Sequence, residues 1–194
     1  YEILVIKDQD DNSTNSISYD VIEKIKIIIP KKKGYGAAIN AGIQNSRNKY
    51  VCIFYADGAC DPKDIERMYE NIKENDCIFC SRYLKKNSSE DDTIITYIGN
   101  KIFSLLGKIL FKLKISDILY TYFLCDKKTI KELNLKSNDF RLCVEIPIKL
   151  ELLGYSYIDM PAFERKRISG KKNVNELKDG FLILTEMIKL FLKN

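Results

Sequence analysis

Three charged side chains stand where this sequence could do chemistry. Asp57 closes the apolar run YVCIFYAD (50–57), Arg82 follows DCIFCS, and Asp8 follows YEILVIK. A carboxylate at the end of a strand can hold a hard cation or accept hydrogen bonds from a base. A guanidinium in that position matches the two-pronged geometry of a phosphate. Other chemistries are closed. There is no histidine, which excludes a Ser-His-Asp triad, a Cys-His pair, a His-ligated zinc and a histidine base within these residues. There is no tryptophan, so ring stacking falls to the 12 Tyr and 9 Phe.

The six cysteines (52, 60, 77, 80, 125, 143) read as small core residues. Cys77 and Cys80 have CxxC spacing, but they lie within a strand pattern whose alternate side chains face opposite sides. No second CxxC accompanies them. Reduced thiols in a cytoplasmic protein are the expectation.

The elements that position these groups follow from pattern. Residues 1–6 form an apolar run typical of a buried parallel strand. A short helix is expected at 18–24, then a strand at 25–29 stopped by Pro30. The loop KKKGYG leads into a helix with Ala38, Ile39, Gly42 and Ile43 on one side. A strand at 50–57 precedes a helix that Asp61-Pro62 starts and that runs to about residue 74, and 76–83 is a further strand. Residues 84–92 form a polar loop without an apolar anchor, expected to be mobile. Amphipathic helices are expected at 98–113 and 176–193, a helix at 139–153 and a strand at GYSYIDMP. No run reaches the ~18–20 apolar residues of a membrane span. Short steps of strand and helix imply an α/β sheet with right-handed crossovers, whose ligands gather at strand carboxyl ends.

The net charge of +5 is polarised. Segment 7–23 carries −4, while 99–114 and 161–175 carry +4 each. The positive segments are also apolar, unlike the broad basicity of a nucleic-acid binder. Gly34-Tyr35-Gly36 ahead of a helix either lets backbone approach an anionic ligand or is simply a turn.

The ordered motifs YEILVIKDQDDNST, KKGYGAAINAGIQNSRNKYV, FYADGACDP, CSRY, ISDILYTYFLCDKKTI, FRLCVEIPIKLELLGYSYIDMP and ERKRISGKKN cover nearly the whole sequence. Together they resemble the family-2 glycosyltransferases of the GT-A fold, and most of all the dolichyl- or polyprenyl-phosphate sugar synthases. The resemblance implies a mixed, mostly parallel Rossmann-like sheet flanked by helices, in one domain over 1–194. It also implies a further strand and an Asn-Glu loop ahead of Tyr1, and an amphipathic C-terminal helix at 176–193.

By that resemblance, Asp8, Lys33, Gly34, Gly36, Ala56 and Asp57 bind the nucleotide, and Asp57 holds Mg²⁺ or Mn²⁺. Asp57, Arg82, Asp117, Glu145 and Arg167 form the catalytic set, with Arg167 and Gly170-Lys171-Lys172 on a mobile basic loop. Lys7 replaces the first acid of the nucleotide turn, Tyr55 replaces the first acid of the DxD motif, and Ala59 stands where synthases often carry Gln. From the residues alone, Asp117 equally caps a turn and Glu145 equally pairs with a neighbouring lysine.

The implied reaction is inverting transfer of a hexose from a GDP-mannose- or UDP-glucose-type donor to a polyprenyl phosphate. A phosphate acceptor is already anionic, so no strong base is needed and the burden falls on stabilising the departing diphosphate. The implied place is the cytoplasmic face of a membrane, bound peripherally through the two lysine-bearing apolar helices. Taken singly, each helix reads first as core packing with a solvated lysine face. Two alternatives stay open: a soluble or polysaccharide acceptor, which would need Asp117 or Glu145 as base, and a non-catalytic nucleotide-sugar-binding member.

Overall fold

A computed structural model describes residues 1–86, 88–170 and 174–193. Two sheets carry the strands. β1 (Ile3–Ile6) and β2 (Ile25–Ile28) pair in parallel, Ile3 opposite Ile25. The second sheet has the order β3 (Tyr50–Ile53), β5 (Phe123–Asp126), β4 (Cys77–Ser81), β6 (Tyr157–Pro161). β4 and β6 are parallel, whereas β5 runs antiparallel to both β3 and β4. The sheet is therefore mixed, with a smaller parallel share than the motifs suggest. That reversal matters for the site, because it returns residues 115–122 to the edge where β3 and β4 end.

Alternation along the central strands divides the interior. Cys77, Phe79, Phe123 and Cys125 face one core, shared with Ile39 and Ile43 of α2 (Tyr35–Asn45) and much of α6 (Leu142–Leu152). Ile78, Cys80 and Leu124 face a second core with Met68 of α3 (Lys63–Asn71). Cys77 and Cys80 thus point to opposite sides. All six thiols are free, five of them buried. β1 corrects one expectation: it is parallel but not buried, since Ile3 is exposed and, among the described residues, β2 alone pairs with it.

The remaining helices are α1 (Tyr19–Ile22), α4 (Ile94–Phe111), α5 (Lys127–Glu132) and α7 (Glu176–Leu192). α4 starts four residues earlier than the apolar pattern suggests. The Thr93 hydroxyl accepts from the Thr96 amide and Thr96 returns a bond to Thr93 N–H, a reciprocal cap that brings Ile94 and Ile95 into the helix. With them α4 is long and apolar enough to cross a membrane by length and composition. That corrects the expectation that no run is.

Candidate active site

One end of the four-stranded sheet gathers the 54–60 turn after β3, the 81–92 segment after β4, the 115–122 approach to β5 and the strap 162–168 after β6. Asp57 sits half-buried in the first of these. Its Oδ1 accepts the Ala59 amide at 3.0 Å, its carbonyl accepts the Ile168 amide at 2.8 Å, and its Oδ2 lies 3.9 Å from the Arg167 guanidinium. Ala56 beside it is exposed. Arg167 also grips Asp91 at 2.9 Å, which holds its charge in place and raises its proton affinity further. Arg165 pairs with Asp61 at 2.6 Å.

The strap is hydrogen-bonded along both sides. Glu164 N–H donates to Ser88 O, Glu90 N–H to Glu164 O, and Arg165 N–H to Ala59 O. Backbone bonds thus tie Ser88 and Glu90 to the strap, so that part of the polar loop, expected to be mobile for want of an apolar anchor, is held by polar ones. Lys171 and Lys172 lie outside the described residues.

Arg82 and Asp117 are brought directly together. Arg82 Nε and one Nη reach the two Asp117 oxygens at 2.8 and 3.0 Å, and the Arg82 amide donates to the same carboxylate at 3.1 Å. The other Nη reaches Glu164 at 3.1 Å, and the Tyr120 ring lies beneath the guanidinium at 4.6 Å. Asp117 is 1% exposed and also accepts from Asn100 of α4. Burial works against the Arg82 charge, but Asp117 and Glu164 outweigh it and the group is held firmly protonated. The fork expected to face a phosphate is thus closed on carboxylates, because a buried guanidinium requires paired counter-charge.

The glycine loop is corrected in the same way. Gly34 has φ +125°, and a Cβ there would meet Asn138 O at 2.3 Å; one at Gly36 would meet Ser137 O at 2.5 Å. Ala37 N–H, at the start of α2, donates to Asn138 O at 3.0 Å. Backbone does approach these glycines closely, but it is the protein's own. Glu145 holds that backbone in place. Its two oxygens accept Lys136 N–H and Ser137 N–H at 2.8 Å each, with Lys149 Nζ at 2.6 Å. Burial would raise its carboxyl, yet the bonds from Lys149, Ser137 and Lys136 hold it below the usual range. Glu145 is therefore a buried anchor, its oxygens taken up by Lys136 N–H, Ser137 N–H and Lys149.

At the acidic turn after β1 Asp8 is exposed, and Lys33 reaches across to Asp10 at 2.7 Å. Lys7, standing in for an acid, binds the Asp11 carbonyl and the Thr14 hydroxyl and so ties the turn together. Tyr55 also replaces an acid. Its buried hydroxyl accepts the Thr121 amide at 2.9 Å and meets the Thr121 hydroxyl at 2.7 Å, and Tyr35 OH donates to it at 3.3 Å. Burial drives both phenols well above their ordinary range.

Sequence reasoning missed Glu164, Thr121, Asn100 and Asp91. A signal existed for Glu164: Met160, Ala162 and Glu164 alternate as buried positions along an extended segment, which places the carboxylate on the inward face.

An α/β sheet with acid, guanidinium and strap gathered at strand ends is the architecture of a GT-A-type transferase. The fold agrees: over 97% of this chain and 68% of the other, it superposes at TM-score 0.70 and 9% identity on glucosyl-3-phosphoglycerate synthase from Mycobacterium tuberculosis in complex with Mn²⁺, UDP and glucosyl-3-phosphoglycerate. A further structure, described as that of a mycobacterial protein, matches at TM-score 0.69 and 10% identity over 97% of this chain and 64% of that one.

The family model for glycosyl transferase family 2 matches residues 1–133, and the chain belongs to that family. Among curated relatives, dolichyl-phosphate beta-glucosyltransferase of Dictyostelium discoideum is 35% identical over 85 residues, 39% of this chain and 26% of the relative. The human protein of the same name is 28% identical over 80 residues, 38% of this chain and 25% of the relative. The matched stretches thus span about a quarter of these relatives' length.

Proposed function

We propose that this chain transfers a hexose, with inversion, from a nucleoside-diphosphate sugar of the UDP-glucose type to a polyprenyl phosphate at the cytoplasmic face of a membrane. The observation that carries the reading is the convergence of Asp57, Arg167 and the Arg82–Asp117–Glu164 cluster at one sheet edge. The curated relatives' names supply the acceptor class and favour glucose over mannose.

In this mechanism the exposed Asp8 turn and Lys33 meet the nucleoside. Arg167, next to Asp57, offsets the charge that develops on the departing diphosphate. Asp57 is the residue that would hold Mg²⁺ or Mn²⁺. Its carboxylate is the hard oxygen donor those ions take, and Mg²⁺ commonly binds through one or two carboxylates plus substrate phosphates. The donor set is sparse, since the described residues contain no group of three acids or thiols that could hold a metal. When bound, the ion adds positive charge beside the diphosphate. Asp117, buried and held by Arg82 and Asn100, acts as a positioning residue that fixes the strand-end cluster rather than as a group that meets substrate. The acceptor phosphate supplies its own anionic oxygen, so a histidine-free chain suffices.

The test is thermal shift with UDP and with GDP, each with and without Mn²⁺, followed by transfer from UDP-glucose to a short polyprenyl phosphate. The expected result is stabilisation by UDP over GDP, and turnover about 100-fold lower in Arg167→Met. No stabilisation by any nucleotide would remove the enzymatic reading.

A further inference from the structure

α4 has two faces with different occupants. Asn100, Gly107 and Phe111 are buried, and Phe103, Leu106 and Leu110 pack against the main core. This divides the apolar face expected from the sequence, because Ile102, Leu105 and Ile109 point outward instead. With Ile94, Ile95 and Ile98 they fall within an arc of about 100° on 3.6-residue geometry. Ile94 is 78% exposed, Ile102 53%, Leu105 56% and Ile109 65%. A helix face of this kind against water alone is costly, since each exposed isoleucine or leucine forgoes the free energy of burial.

Charge identifies what covers the stripe. α4 contains no Asp or Glu; its charged residues are Lys101 and Lys108, followed by Lys112 and Lys114. On the helical wheel Lys101 and Lys108 flank the stripe on one side. Acids precede the helix at Glu90, Asp91 and Asp92, but along the helix itself the stripe is flanked by lysines alone, which suits the boundary between acyl chains and anionic headgroups. The inward face argues against a spanning role, because Asn100 donates to Asp117 and Ser104 accepts the Ile118 amide at 3.2 Å. A helix tied to the sheet edge by those bonds lies along a bilayer rather than through it.

We infer that α4 is the membrane-docking element, seated in the interface of an anionic bilayer by Ile94, Ile98, Ile102, Leu105 and Ile109. This deepens the lipid-acceptor reading but does not need it. The helix that would meet lipid on one side positions Asp117 on the other, so docking and the strand-end cluster share one rigid element.

Vesicle co-sedimentation tests this on the full chain, using phosphatidylcholine vesicles with and without phosphatidylserine and no substrate. Wild type should bind the anionic vesicles. The variant Ile98→Ser/Ile102→Ser/Leu105→Ser/Ile109→Ser should lose at least about tenfold in partition. Ile158→Ser, an exposed apolar residue on β6, should leave partition unchanged. Lys108→Glu should weaken binding to anionic vesicles only. The four serines replace exposed side chains, and an unchanged UDP thermal shift confirms the fold.

Equal partition of wild type and the four-serine variant, or no binding to either vesicle, would overturn the proposal. So would a wild-type dimer in light scattering that the serines dissolve, which would assign the stripe to a second copy. UDP binding is read separately, so loss of the transferase reading and loss of the docking reading are distinguishable.

Discussion

Arg82 spends its donors on two carboxylates and its face on Tyr120. Asp117 in turn has its oxygens shared among Arg82, the Arg82 amide and Asn100. Removing one member leaves a buried charge without its partner, the costly case for buried ion pairs. Arg82→Met should therefore destabilise the protein by about 3–5 kcal/mol, read from urea unfolding monitored by tyrosine fluorescence. An unchanged midpoint would mean that Asp117 is solvated and the cluster is not structural. Asp57 differs, because among the described residues the cation beside its Oδ2 is Arg167 at 3.9 Å. Its substitution should affect ligand binding more than folding.

At the scale of elements, the contact between the glycine loop and residues 137–139 joins α2 to the loop before α6. Gly34→Ala adds a methyl 2.3 Å from a carbonyl oxygen at a φ of +125°. The expected cost is at least about 2 kcal/mol from strain and overpacking together, measurable as a lowered Tm. Glu145 secures the other side of that contact. Its carboxyl is depressed in the folded state from an ordinary value of 4.5, so its contribution is complete above that value and fades as pH falls through the folded one. Glu145→Gln should thus be less stable than wild type at pH 7, with the gap narrowing below about pH 4.5. Denaturation curves at both pH values check it, and a gap independent of pH would refute it.

These elements also show what the sequence made legible. Period-two alternation was enough to separate Cys77 from Cys80, and Asp61-Pro62 marked the start of α3. The strand-end acids were visible because polar residues interrupt apolar runs. The pairing of Arg82 with Asp117, 35 residues away, was not legible. It depends on β5 running antiparallel, and local patterning carries no strand direction. For the same reason Gly34 and Gly36 resembled a ligand cradle. A demand for a missing Cβ is identical whether the intruder is a phosphate or the carbonyl of Asn138.

Across the whole molecule, charge and greasiness are segregated. The acidic Asp8 turn lies at the end of β1, while the cationic strap is bonded to residues 88–91 just ahead of the apolar stripe of α4. α7 adds exposed Leu177, Phe181 and Leu192 beside its own lysines and packs on α4, Phe111 against Phe191 at 6.0 Å between ring centres.

The two-faced α4 has a kinetic consequence. If α4 docks as inferred and the acceptor is a polyprenyl phosphate, then with the outer face of α4 in a bilayer and Asn100 fixed to Asp117 the enzyme would meet its acceptor by lateral diffusion in a plane. The governing variable is then the mole fraction of acceptor in the vesicle, not its amount per litre. Diluting polyprenyl phosphate with inert lipid at constant bulk concentration should slow turnover, while adding more vesicles of fixed composition should not raise it once all the enzyme is bound. An enzyme working from solution would give the opposite pattern.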